Sequence, residues 1–287
     1  VLESTTVLPH STTLAITQDR LLEKNLCVSL GITTAPFIKV DSVEDLYEAE
    51  KVIGPTPWIL KSRKMGYDGK GQITINDSSN FDENILSLTS VPCILEKKVD
   101  FDRELSIIAT SSSDGSYVFY PLTENKHSNG ILHISRAYPS IFGKEIINQA
   151  EAIAKSIIKR LGYVGTIAIE LFEYNGKLVL NEIAPRVHNS GHWTIEGAMT
   201  SQFQNHLRAL AGLPLGDPML LRPAGMINLI GDVPSADRVL RESGAYLHTY
   251  GKKEVRKGRK MGHITVVRNS EQEVEQTIER LLSLIDK

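Results

Sequence analysis

The segment Lys61-Ser-Arg-Lys-Met-Gly-Tyr-Asp-Gly-Lys-Gly-Gln72 sets three glycines among cationic side chains directly after the apolar run Trp58-Ile-Leu. Such a loop can hold a polyphosphate. At Gly66, Gly69 and Gly71 no Cβ keeps a phosphate oxygen from the backbone N–H groups, and Lys61 and Lys70 bring positive charge. The spacing is neither that of a P-loop, which needs Lys-Ser/Thr directly after its last glycine, nor that of a G-x-G-x-x-G dinucleotide turn. Gly71 leads instead into the alternation Gln72-Ile-Thr-Ile, so the loop is expected to join two strands as a hairpin lid. A plain glycine-rich turn with exposed lysines has the same composition.

Glu170 in Ala-Ile-Glu-Leu and Glu182 in Leu-Asn-Glu-Ile flank Tyr174-Asn-Gly, a hairpin signal. If the flanking strands pair, both carboxylates can reach one face. They would then supply the carboxylate oxygens that Mg²⁺ takes beside nucleotide phosphates, whereas on a solvated face they would be surface charges only. In Ala184-Pro-Arg-Val-His-Asn-Ser-Gly-His-Trp193 the side chains of Arg186, His188, Asn189 and His192 crowd donors into one loop, which suits phosphate or a polar heterocycle. A last cluster, from Lys252 through Arg259 and Lys260 to His263, is strongly basic. It reads as an exposed basic turn or as a seat for a small phosphorylated ligand; it lacks the interleaved aromatics of a nucleic-acid patch.

These groups need positioning elements. Helical spacing of Leu21, Leu22, Leu26 and Leu30 predicts a helix over 18–30 with Gly31 as its stop, and Ser42 can cap a second over 42–53. Strands are expected at 58–61, 72–76, 93–99, 103–110 and 117–121, with a short helix before 93. A longer helix over 144–161 ends at Gly162; strands over 165–172 and 178–182 then flank the Asn-Gly turn. A helix over 201–210, strands at 225–230, 246–250 and 263–267, and a helix over 270–285 complete the pattern.

A length of 287 residues predicts about two domains, and 41% apolar residues suffice for ordinary cores. The net charge of −2 gives no global pull towards nucleic acid or membrane, and no segment approaches the roughly 18 apolar residues of a span. Neither kind of partner is expected. Cys27 and Cys93 sit in apolar runs without metal spacing, which fits structural thiols in a reducing, cytoplasmic setting.

In this order the motifs resemble the ATP-grasp superfamily, and within it the family of 5-(carboxyamino)imidazole ribonucleotide synthetases of purine biosynthesis. The matching strings are Gln18-Asp-Arg with Lys24, Gly66 to Gln72, Val118-Phe-Tyr-Pro-Leu-Thr-Glu-Asn-Lys-His127, Gly162-Tyr-Val-Gly165, Asn181 to Thr194, and Gly258-Arg-Lys-Met-Gly-His263. The resemblance covers essentially the whole chain, and the run from Asn181 to Thr194 is its most specific part. It implies an α+β ATP-grasp fold, two α+β subdomains clasping ATP, followed by a small β-rich C-terminal domain. The implied division is 1–13 as the remnant of an N-terminal Rossmann-like domain, 14–110 and 111–213 as the small and large subdomains, and 214–287 as the C-terminal domain.

The resemblance also implies roles. Arg20 and Lys61 would contact ATP phosphates under the loop of Gly66, Gly69, Lys70, Gly71 and Gln72. Glu96, Lys97, Lys98 and Val99 would line the adenine pocket through backbone groups, Glu104 would hold the ribose, and His127 would lie near the nucleotide. Glu170 and Glu182, with Asn181 adjacent, would hold Mg²⁺. Tyr67, Asp68, Lys70, Arg186, His188, Asn189, Lys252, Arg259 and Lys260 would face the ribonucleotide. Lys61, Asp68 and Arg186 form the expected catalytic set, with Asp68 accepting the amine proton. The implied reaction is carboxylation of 5-aminoimidazole ribonucleotide by bicarbonate, driven by ATP through carboxyphosphate. A homodimer is implied, and a separate chain could supply the N-terminal domain. The alternatives are another ATP-grasp ligase, against which the 186–193 and 256–263 segments speak, and an ATP-binding module that has lost turnover.

Overall fold

The computed structural model describes residues 7–66, 71–254, 256 and 258–285. Among the described residues the strands form two sheets, one of four strands and one of nine. Two helices lead in, α1 (Ser11–Thr17) and α2 (Arg20–Ser29). The predicted 18–30 helix therefore starts two residues late. Asp19 stops it from running on: its Oδ1 accepts from the amides of Leu21 and Leu22 at 3.1 and 3.4 Å and caps α2.

The smaller sheet has the order β1 (Phe37–Val40), β4 (Cys93–Lys97), β2 (Trp58–Ser62), β3 (Gln72–Ile75), all antiparallel. α3 (Val43–Ile53) and α4 (Glu83–Leu88) complete the lobe; Leu46, Ala49 and Ile53 of α3 join Trp58, Leu60 and Leu95 in its core. Each fully buried side chain of this size contributes about 1.5–3 kcal/mol. β2 and β3 are joined by the glycine-rich segment, as the sequence predicts. Gly71 has φ +71°, and a Cβ there would lie 2.7 Å from Ser62 Oγ, so close approach of the two strands requires glycine.

The larger sheet begins β10 (Lys177–Ala184), β9 (Gly165–Tyr174), β5 (Arg103–Ser111), β7 (Thr123–Ser128), β8 (Ile131–Ala137) and continues β11 (Ala224–Ile230), β13 (Lys260–Val267), β12 (Ala245–Thr249), with β6 (Tyr117–Phe119) paired to β5. α5 (Lys144–Leu161) packs Ala150, Ala154 and Ile157 onto it and ends at Gly162 in the left-handed conformation. α6 (Thr194–Gly197), α7 (Gln202–Leu210), α8 (Ala236–Leu240) and α9 (Glu271–Ile285) cover the rest.

Three differences from the sequence expectation follow. The sequence pattern does not reveal the hairpin β7–β8, nor α1, α6 and α8. β5 pairs with β9 along its length, so the boundary between sheets falls after β4 rather than at residue 110. The C-terminal strands are not a sheet of their own, because β11 pairs with β8 and continues the large one.

Candidate active site

The two sheets enclose a cleft of about 590 Å³. Its floor is the β9–β10 hairpin. Asn175 and Gly176 at its turn both have positive φ, 50° and 71°, which matches the right-handed twist of the strands. Counting back from that turn, Leu180 pairs with Leu171, so an unbroken ladder would set Asn181 opposite Glu170. The register instead shifts between Leu180 and Glu182, Asn181 bulges, and Glu182 stands directly opposite Glu170. Burial and the like charge of Glu182 push the Glu170 carboxyl up to about 7. Arg20 reaches Glu182 at 3.6 Å and also donates to the carbonyls of Ser62 and Gly66, tying the carboxylate pair to the end of β2.

Two anionic oxygen donors side by side in a cleft fit a hard divalent cation, which would relieve their mutual repulsion. Among the described residues no group of three or more His, Cys, Asp or Glu side chains could hold a metal alone. A cation at this pair would thus complete its shell with phosphate oxygens or water, as Mg²⁺ does at nucleotides.

Lys61, from β2, lines the cleft and is 3.0 Å from the Glu96 carboxylate. Lys24 lies 3.5 Å from the same oxygen and also donates to the carbonyls of Leu180 and Asn181. Burial opposes ionisation of Glu96, yet the two ammoniums overcome it and hold its carboxyl at about 2. Glu96 thus acts through its side chain, on Lys61. The amides of Lys97 and Lys98 are spent on Pro36 and Pro57 carbonyls, β4 ends at Lys97, and Lys97 donates its ammonium to Pro55 O. Residues 96–99 are not among those that line this cleft. Ile59 and Phe101 stand there instead.

On the opposite wall His127 and Glu104 are hydrogen-bonded; burial works against the imidazolium, but Glu104 raises the His127 pKa overall. His188 Nε2 is 3.5 Å from Glu170, and burial with the charges of Arg186 and Lys260 lowers the His188 pKa to about 3, so it is neutral. The loop bearing Arg186, His188 and Asn189 is held by buried Gln202, whose amide accepts from the His188 N–H and donates to its carbonyl. Asn189 and Asn228 exchange amide hydrogen bonds of 2.9 and 2.6 Å, and Asn228 donates on to Leu132 O. Behind the loop, His192 sits over His263, which stacks on His248 at 4.4 Å and is hydrogen-bonded to Tyr250.

Of the predicted residues that the structure describes, most therefore converge: Arg20, Lys61, Gln72, Glu104, His127, Glu170, Asn181, Glu182, Arg186, His188, Asn189 and Lys260 all line the one cleft. Gly66 and Gly71 flank it through Arg20 and Ser62. Arg259 and Lys252 are turned elsewhere, Arg259 donating to Glu254 O and Lys252 to Lys260 O, so of the basic cluster Lys260 alone among the described residues reaches the wall. Tyr67, Asp68, Gly69 and Lys70 lie outside the described residues. Sequence reasoning missed Phe101 and Phe172, which stack at 4.5 Å and 3° on the wall. Their signal was the Phe two residues after Glu170, on the same strand face. Cys27 and Cys93 are buried, and burial pushes both thiols up, to about 12 and about 11, as structural cysteines require.

Two sheets closing on a cleft that carries paired carboxylates and a buried lysine define an ATP-grasp protein, and the ATP-grasp domain family matches residues 25–203. The phosphoribosylaminoimidazole carboxylase C-terminal domain family matches residues 224–277. The N5-carboxyaminoimidazole ribonucleotide synthase of Pseudomonas aeruginosa is 46% identical over 260 residues, covering 91% of this chain and 71% of that protein. The crystal structure of the synthetase from Thermus thermophilus has a TM-score of 0.91 at 43% identity, over 100% of this chain and 77% of that one. The Aspergillus clavatus synthase, solved with ADP and 5-aminoimidazole ribonucleotide, gives 0.92 at 29% identity with the same coverage. The chain belongs to the N5-carboxyaminoimidazole ribonucleotide synthase family, a group of ATP-dependent carbon–nitrogen ligases.

Proposed function

We propose that this cleft carries out the ATP-dependent carboxylation of 5-aminoimidazole ribonucleotide with bicarbonate, giving the N5-carboxylated ribonucleotide, ADP and phosphate. The observation that carries the reading is the convergence on one cleft of Glu170, Glu182, Arg20 and Lys61 with the donor loop of Arg186, His188 and Asn189, whose His188 Nε2 lies 3.5 Å from Glu170.

Bicarbonate is a weak electrophile, and phosphorylation turns one of its oxygens into a leaving group. A bicarbonate oxygen attacks the γ-phosphorus, the bond to the β–γ bridging oxygen breaks, and ADP leaves as carboxyphosphate forms. Lys61 and Arg20 are the groups placed to hold the phosphates in line and to offset the developing charge. Mg²⁺ bound by Glu170 and Glu182 would supply further neutralisation of the phosphate oxygens. The exocyclic amine then attacks the carboxyl carbon, phosphate departs, and the amine proton passes to a base, for which Asp68 is the candidate. Neutral His188, Asn189 and Lys260 would orient the ribonucleotide, the last by charge against its phosphate. Closing the glycine-rich segment over the cleft would keep water from the carboxyphosphate. The purine-synthetic setting and the lack of any membrane-crossing helix among the described residues fit a cytoplasmic enzyme.

The test is ADP release by this chain with Mg-ATP and bicarbonate, with and without the ribonucleotide, beside Glu182→Gln. Release that requires the ribonucleotide and disappears in Glu182→Gln supports the reading. Ribonucleotide-independent release in both would sink it.

A further inference from the structure

Among the described residues β10 is the terminal strand of the large sheet, and beyond an isolated bridge from Thr34 to Leu180 its outer edge has no neighbouring strand to satisfy it. On that edge Leu180 N donates to Thr33 O at 2.8 Å, and Lys24 Nζ donates to Leu180 O at 3.1 Å and Asn181 O at 2.8 Å. In an unbroken strand the next outward amide after Leu180 would belong to residue 182. The bulge moves it to Ile183, and there Glu23 Oε2 accepts it at 2.9 Å. Adjacent side chains of α2 thus meet the backbone groups that the bulge displaces. Neither side chain belongs in an ordinary core: Glu23 and Lys24 are each 1% exposed, and Glu23 Oε1 has no hydrogen-bond partner among the described residues. An apolar pair would serve a purely structural contact better.

We propose that Glu23 and Lys24 are positioning residues for the carboxylate pair, clamping the Asn181 bulge so that Glu182 stays opposite Glu170. This rests on the nucleotide–metal reading of that pair. A sheet edge without the clamp can slip by one residue, which would return Asn181 to the place opposite Glu170 and turn the Glu182 side chain to the other face. Lys24 adds a link to the phosphate side of the cleft, because its other partner, Glu96, also holds Lys61.

The test uses the full chain and titrates Mn²⁺ in the presence of ADP, following bound metal by its paramagnetic signal, with Glu182→Gln as reference. Glu23→Leu and Lys24→Met should weaken metal binding about tenfold, whereas Glu23→Gln, which keeps an acceptor for Ile183 N, should stay within about twofold of wild type. Hydrogen exchange at the Ile183 amide is read in the same samples. Glu23→Leu should accelerate it while the β9 amides stay protected, and this readout also serves a variant too unstable to bind metal. Wild-type metal binding in Glu23→Leu and Lys24→Met, with Glu182→Gln defective, would overturn the clamp and leave the site reading intact. Equal loss in Glu23→Leu and Glu23→Gln, or acceleration spread evenly over β9 and β10, would also overturn it. Wild-type binding in Glu182→Gln would instead show that the metal reading had failed, and the positioning role with it.

Discussion

The Lys61 ammonium lies 3.0 Å from a Glu96 carboxylate oxygen that is also 3.5 Å from Lys24. One buried anion therefore holds two buried cations, one facing the cleft and one facing the edge of β10. Lys61 is fixed from behind before any phosphate arrives.

Glu96→Gln should strand both ammoniums and lower stability by about 3–5 kcal/mol, read as a reduced urea midpoint at neutral pH. The pH dependence has a definite sign. The Glu96 carboxyl falls from an ordinary 4.5 to about 2 in the folded protein, so its contribution is complete above 4.5 and is lost as the pH drops from 4.5 to about 2. The difference between wild type and Glu96→Gln should shrink across that window. A gap that stays constant down to the lower limit would count against the ion cluster.

His263 adds acid sensitivity of the same sign in a higher pH window. Burial and the neighbouring His192 and His248 lower its pKa from 6.5 to about 3, so the unfolded chain takes up a proton that the folded one refuses. Stability should fall as the pH drops below 6.5, by about 2 kcal/mol at pH 5. His263→Phe, which keeps the ring stack on His248, should flatten the slope between pH 6.5 and 5. An unchanged slope would assign the acid loss to other groups.

Phe172 and Phe101 form a flat aromatic wall on the cleft. Phe172→Ala should raise the KM for ATP about tenfold with little change in that for the ribonucleotide, the size of one lost stacking contact. A rise confined to the ribonucleotide would place the ribonucleotide, not the purine base of ATP, against this wall.

Among the described residues Asn228 is hydrogen-bonded to the donor loop through Asn189. Asn228→Leu should release Asn189 and raise the KM for the ribonucleotide about tenfold, the worth of one net hydrogen bond, while the KM for ATP stays within about twofold. Steady-state kinetics in both substrates, with the melting temperature as a control for folding, distinguish this from general damage.

The Asn-Gly turns explain both what the sequence revealed and what it hid. Tyr174-Asn-Gly stood between two apolar alternations, so the β9–β10 hairpin and its two carboxylates were legible. Asn129 and Gly130 have closely similar positive φ values, 51° and 74°, yet the sequence pattern does not reveal β7 and β8. The buried positions of β7 are polar, Thr123 and Asn125, and Asn125 bonds Ser106 at 2.9 Å and Ser135 at 2.7 Å, whereas β8 buries Leu132, Ile134 and Ala137 beside Ser135. Along β7 a satisfied polar layer leaves no hydrophobic period to read, and β8 then lacks a visible partner strand. The bulge at Asn181 was hidden for another reason, since it is imposed by groups more than 150 residues earlier in the chain.

The pairing of β11 with β8, from Ile227 opposite Ile134 to Ala224 opposite Ala137, bears on modularity. Although two family models divide the chain at this point, a splice made before Ala224 would open the β8 edge and offer it as a template to other chains. The C-terminal segment is consequently no cassette that can be traded between scaffolds. Chimeras with other ATP-grasp proteins would have to carry β8 and β11 together to remain monodisperse.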